Sequence, residues 1–182
     1  MDPIAAGFVA LLIGLVMLLG FAKKAQGGVR PAVAGVPPAA AAPWPYSDLI
    51  ARYASKYGVK PELVAAHTKV ESNFNSLAIN EEDPKLDYDS SYGLMQVQLA
   101  VAQDFGAVKD YKHATATEIA WLMVPENNIK VGAWNIDRWQ SRYLWDVAVQ
   151  MYNVGERGYL NGRRNPDYLA KVREAYNAYD AF

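Results

Sequence analysis

Hydrophobic and polar positions divide the chain into three stretches. Residues 4–22 are nineteen consecutive side chains without a polar group, IAAGFVALLIGLVMLLGFA. At ~1.5 Å per residue a helix of that length spans about 28 Å, the thickness of a bilayer's hydrocarbon core. Residues 25–45 show no period, and Ala, Pro and Gly fill 15 of these 21 positions. Such a stretch cannot bury a core and reads as an extended spacer. From residue 46 onward apolar positions recur at helical spacing. Ser47 is placed to cap a helix through Tyr57, with Leu49, Ile50, Tyr53 and Tyr57 on one face and Gly58 as its stop. Pro61 opens a second helix through Ser72. A helical pattern covers 93–104, and Thr115 or Thr117 starts a short helix before Pro125. Pro125 opens a longer one striped by Ile129, Ala133, Ile136 and Gln140. Residues 145–152 form another, ending near Gly155, and Asn165-Pro166 starts the last, carrying Leu169, Val172, Tyr176 and Tyr179. Sustained alternation of β-branched residues is absent. The expectation is a single transmembrane helix in an anchor (1–24), a Pro/Ala-rich linker (25–45) and a mainly α domain (46–182).

Composition sharpens this division. The chain has 182 residues, a net charge of −1, no cysteine and two histidines. Near-neutral charge argues against a nucleic-acid binder. Without cysteine there is no disulfide, thiolate metal site or Cys nucleophile, and His67 and His113 are too few for a multi-His metal centre. No metal or cofactor is expected. The first 45 residues carry only Asp2, Lys23, Lys24 and Arg30 as charges. A cleaved signal peptide is the alternative to an anchor. It is disfavoured because no basic residue precedes the apolar run and no small-residue cleavage site follows it.

On the second helix Val64, His67, Thr68 and Glu71 share one side, next to an apolar side of Leu63, Ala66 and Val70. Glu71 therefore sits at a helix end on the border of the core. Incomplete solvation there raises a carboxyl pKa, and a carboxyl protonated near neutrality is a general acid. His67, one turn earlier, reads as a core residue rather than a proton carrier.

The neighbouring motifs carry more information. Glu71-Ser72-Asn73-Phe74 is followed by Gly93-Leu94-Met95-Gln96, then Asn128-Ile129 with Gly132, then Tyr152-Asn153-Val154-Gly155, then Tyr168-Leu169 with Val172. In this order they resemble the soluble lytic transglycosylase (SLT) family, over roughly residues 49–172. The resemblance implies a lysozyme-like, goose-type helical fold and a peptidoglycan substrate. It implies that Glu71 protonates the glycosidic oxygen between N-acetylmuramic acid and N-acetylglucosamine, then as a carboxylate takes the proton of the C6 hydroxyl. The product is a 1,6-anhydromuramic end. It places Gly93, Met95 and Gln96 beside the acid. Gly93 is then suited to close backbone approach, Met95 either to a sugar face or to core filling, and Gln96 to an acetamido group. Tyr152 would aim its hydroxyl at Glu71 or the acetamido group. Asn153 joins the substrate-binding set, although holding its own turn fits it better, and Asn128 and Gly132 fit helix packing.

The match departs in two places, one of them the Pro-x-Thr-Ala that often follows Gly-Leu-Met-Gln, where this chain has Gln98-Leu99-Ala100-Val101. Asn80 stands where the family has Ser, and thirteen positions separate it from Gly93. Ser90 or Ser91 is an alternative source of that hydroxyl. The intervening segment holds Glu81, Glu82, Asp83, Asp87 and Asp89. It reads as a solvated loop, a calcium site, or the source of the second carboxylate of a muramidase-type hydrolase. A further alternative is an inactive glycan-binding or assembly protein. The basic stretch 157–173, with Arg163-Arg164, reads as a solvated face or as a contact for anionic peptide stems or lipid headgroups. Lys23 and Lys24 follow the apolar run and favour a cytoplasmic domain, whereas peptidoglycan lies outside. Two placements meet that conflict: a bacterial inner membrane with the domain translocated, or the membrane of a phage virion.

Overall fold

The computed structural model describes residues 44–81 and 90–181. The expected anchor at 4–22, most of the linker and the acidic segment 82–89 lie outside the described residues. Among the described residues no helix is long and apolar enough to cross a membrane.

Eight helices build the domain: α1 (Ser47–Tyr57), α2 (Pro61–Ser72), α3 (Leu99–Phe105), α4 (Ala116–Met123), α5 (Pro125–Gln140), α6 (Trp145–Val154), α7 (Glu156–Leu160) and α8 (Pro166–Asp180). α2 is the central element. Leu63 through Thr68 are buried without interruption, because α1, α5 and α8 all pack on it. A helix enclosed on several sides needs apolar residues all round rather than one stripe. α5 is the second buried helix, enclosing Ile129, Val131, Ala133 and Ile136 with Asn128 and Asn135. α1 ends as expected at Gly58, whose φ of 68° no side chain favours. α4 begins at the Thr115 cap, where Thr115 and Glu118 satisfy each other's backbone N–H groups in a capping box. Ser47, by contrast, is the first helical residue rather than the cap, and Tyr46 takes the cap position in a left-handed conformation. Trp44, inside the compositional linker, stacks on Tyr179 of α8 with ring centroids 4.9 Å apart.

The expectation of a helix over 93–104 is corrected. Its first half is the turn and last strand of a small antiparallel sheet, β1 (Ile79–Asn80), β2 (Ser91–Tyr92) and β3 (Val97–Gln98), in that order, and the helix α3 begins only at Leu99. Tyr92 pairs with both Ile79 and Val97, and Ser91 with both Asn80 and Gln98. Two-residue strands are too short to show alternation. The helix is displaced by a tertiary clamp. Asn128, fully buried on α5, accepts from Met95 N–H at 2.8 Å and donates to the carbonyls of Tyr92 and Leu122. Gly93 (φ 72°) and Gln96 (φ 43°) make the reversal between β2 and β3. A Cβ on Gly93 would stand 2.5 Å from the Asn128 amide nitrogen.

Candidate active site

Glu71 is the penultimate residue of α2. The chain turns sharply behind it, with Asn73 and Phe74 both left-handed, at φ 53° and 62°. Consecutive non-glycine residues in that region are held only where surroundings over-determine them. Here Ser72 Oγ donates to Leu94 O at 2.7 Å, pinning the helix end to the β2–β3 turn. The reversal brings β1 across the end of α2.

The result is an open cleft of about 640 Å³. Glu71 lines it with Asn80, Ser91, Gln96 and Gln98 from the sheet region, and with Tyr152, Asn153, Arg163, Arg164 and Asn165 from α6 and the segment before α8. Among the described lining residues Glu71 is the only carboxylate. Burial pushes its carboxyl up to about 7 from the ordinary 4.5, against the lowering effect of a hydrogen bond from Tyr168. Tyr168 Oη donates to Glu71 Oε1 at 2.5 Å and lies 2.9 Å from His67 Nδ1. Burial and the adjacent carboxyl hold the Tyr168 and Tyr152 hydroxyls well above their usual range, so both are neutral donors.

The structure redistributes several expected roles. Tyr152 lines the cleft, but its hydroxyl donates to Met95 O at 2.9 Å; Tyr168 is the tyrosine that reaches Glu71. The cause is the packing of α8 along α2. Tyr168 stood in the motif series without a role, and its position two residues after the Asn165-Pro166 start was the available signal. Of the two alternatives for Met95 the structure takes core filling: it is fully buried, with its side chain against Gly132. Gly93 makes its close approach to Asn128 rather than to a ligand. Gln96 lines the cleft, yet its amide is engaged within the protein. Nε2 donates to Ala78 O and Gly93 O, and Oε1 accepts from Ser91 Oγ at 3.1 Å. Asn80 and Ser91 pair across β1 and β2 and both line the cleft; Ser90, which precedes β2, does not. Asn153 Oδ1 accepts from Asn165 Nδ2 at 2.8 Å, and Asn165 caps α8 by accepting from Tyr168 N–H. That link ties the end of α6 to the helix that carries Tyr168. Asn128 and Gly132 are packing residues, as expected. His67 is buried and burial lowers it to about 3 from 6.5, so it stays neutral. Among the described residues no group of three His or acidic side chains is arranged to hold a metal ion.

The chemistry available is that of one carboxyl, protonated near neutrality, in a polar cleft with cations at its rim. Comparison with known proteins agrees with the motif reading. The chain is 32% identical over 104 residues to membrane-bound lytic murein transglycosylase C of Photorhabdus laumondii, covering 57% of this chain and 27% of that protein. It is 32% identical over 103 residues to the Yersinia pestis protein of the same name, covering 56% and 26%. The chain thus spans about a quarter of the length of these curated relatives. Among solved structures it is similar to an inactive mutant of lytic transglycosylase Slt from Pseudomonas aeruginosa, with 23% identity, a TM-score of 0.49, and 75% and 22% of the two chains covered. The 70 kDa soluble lytic transglycosylase of Escherichia coli gives 23% identity, a TM-score of 0.48, and 72% and 22%. The family model described as Transglycosylase SLT domain matches residues 48–179, nearly the whole folded part, and the chain belongs to that family.

Proposed function

We propose that this chain is a peptidoglycan lytic transglycosylase that cleaves the β-1,4 bond between N-acetylmuramic acid and N-acetylglucosamine and leaves a 1,6-anhydromuramic end. The observation that carries the reading is Glu71: a single carboxyl, raised to about 7, in a cleft whose other described lining residues include no second carboxylate. Hydrolysis with a water nucleophile uses two carboxylates about 5–9 Å apart. An intramolecular attack by the C6 hydroxyl needs one group that donates a proton and then takes one. A carboxyl poised near neutrality does both without a large driving-force penalty in either direction. The polar rim suits a glycan, and Arg163 and Arg164 supply positive charge for the anionic peptide stems of the substrate.

Mass analysis of products from purified sacculi tests this. Anhydro ends, lighter by one water than reducing ends, are expected. Reducing ends would instead assign a muramidase, with its second acid in 81–89. Binding without cleavage would assign a glycan-binding protein.

Residues 4–22 tether the domain to a membrane, and the name of the curated relatives, membrane-bound lytic murein transglycosylase, supports that arrangement. The domain faces peptidoglycan, either in the periplasm or from a virion membrane, where local wall opening serves genome delivery. Presence of the protein in purified virus particles distinguishes the two.

A further inference from the structure

His67 is not used by the proposed chemistry, yet among the described residues it is the most buried polar ring, 1% exposed. Its Nδ1 lies 2.9 Å from Tyr168 Oη, whose other neighbour is Glu71 Oε1 at 2.5 Å. The three groups form a line from the core to the cleft. A phenol has one proton to give, and a neutral imidazole has one N–H. The line therefore has two consistent directions. If Nδ1 is bare, Tyr168 gives its proton to His67, and a protonated Glu71 turns its own proton inward onto Tyr168. If Nδ1 carries the proton, His67 donates to Tyr168, Tyr168 donates to Glu71, and Oε1 is closed as a proton site.

We infer that His67 is a positioning residue that acts through Tyr168: its Nδ1–H fixes the direction of the line, so that the acid proton of Glu71 resides on Oε2, the oxygen left to the substrate. The surroundings keep the ring in one charge state. Tyr152 from α6 packs against it at a tilt of 46° with centroids 4.5 Å apart, Tyr168 from α8 stands at 6.0 Å, and α5 contributes Ile136 and Gln140. Among the described residues the titratable groups at the ring are Tyr152 and Tyr168, with Glu71 reached through Tyr168, and burial disfavours the imidazolium. A tautomer held by its hydrogen-bond partner is a familiar way to orient proton transfer. The inference rests on Glu71 being the acid.

Two measurements on the full chain test it. Nitrogen NMR of histidine-labelled protein reads the tautomer directly, and His113→Gln separates the exposed second histidine. The Nδ1–H tautomer is expected for His67; the Nε2–H tautomer or an imidazolium would overturn the inference, whatever any variant does. Kinetics on soluble glycan strands then compare variants. His67→Leu is expected to lower kcat about tenfold or more, part of the ~10²–10⁴ that a positioned acid supplies, with little change in KM. It should also move the alkaline limb of the pH profile upward. His67→Asn, which keeps a donor near the Nδ1 position, should restore both. In a Tyr168→Phe background His67→Leu should cost nothing further; a full, additive loss there would overturn the inference. Persistent lysis by Glu71→Gln would instead defeat the assignment of the acid and leave the tautomer result standing.

Discussion

Tyr168 and Glu71, 97 positions apart in the chain, meet at 2.5 Å, with the phenol donating to carboxyl Oε1. The contact opposes the burial that raises Glu71. Desolvation is the larger influence, so the carboxyl stays near 7 and can be protonated at neutral pH. Without the phenol it would be a weaker acid still, and a poorer proton donor to a leaving oxygen.

In the proposed reaction Glu71 is the proton donor, and Gln at this position has no such proton to give. Lysis of purified sacculi is expected to fall by about 10²–10⁴-fold, the contribution of a positioned general acid. Turbidity of a sacculus suspension measures it, and unchanged lysis would reassign the acid.

Tyr168→Phe removes the bond that lowers the Glu71 pKa while leaving its burial intact. The alkaline limb of the pH–rate profile is expected to move to higher pH, with kcat reduced about tenfold within the general-acid range. A profile that stays in place would show that the phenol does not act on the carboxyl.

The same groups set a stability profile. Glu71 is raised from 4.5 to about 7 on folding, so between those values the folded state binds more protons than the unfolded. Its contribution is fully present below pH 4.5 and is lost as pH rises through 7. His67 is lowered from 6.5 to about 3, so its contribution is present above pH 6.5 and is lost as pH falls through 3. From pH 4.5 to 6.5 the two slopes oppose each other, and stability is expected to be broadest there. Glu71→Gln should abolish the decline towards pH 7 and leave the acid limb in place. The variant should gain a few kcal/mol above pH 7, at ~1.4 kcal/mol for each pH unit between the folded and unfolded pKa. Urea midpoints across pH 3–8 measure this.

Gly132→Ala should destabilise the domain without touching the cleft. Its methyl would overlap Met95 Sδ and stand 2.8 Å from Met95 Cε. Overpacking of that kind costs about 1–3 kcal/mol. Thermal unfolding reads the loss, and a variant as stable as the parent would mean that Met95 relaxes freely.

Arg163 and Arg164 line the cleft, and under the proposed function they meet the substrate's peptide stems. Gln at both positions should raise KM severalfold for peptide-bearing strands and reduce its dependence on salt. Strands stripped of their peptides should be cleaved with unchanged KM. An equal loss on both substrates would place these arginines in folding or in glycan contact.

Local rules were readable along the chain. Gly58 stops α1 and Pro61 and Pro125 open helices, because these effects act within one turn of backbone, whereas the choice of Thr115 over Thr117 as the cap of α4 came from the structure. The position of Glu71 at a helix end beside an apolar face followed from the helical period alone. The order of the motifs was enough to indicate the family. The hairpin at 91–98 was not readable. A clamp from Asn128, more than thirty residues away, holds it, and that clamp outweighs the local helical pattern.

The chain alone therefore settled which residue types are present and how they are spaced on each helix. It pointed to Tyr152 rather than Tyr168 as the tyrosine at the acid and gave the Gln96 amide to a ligand, and it left open whether Met95 meets a sugar or fills the core. Those outcomes depend on how α8 packs along α2 and how the β2–β3 turn docks on α5. Both are contacts between segments distant in sequence, made by burial and by pairing of polar groups that no single helix contains.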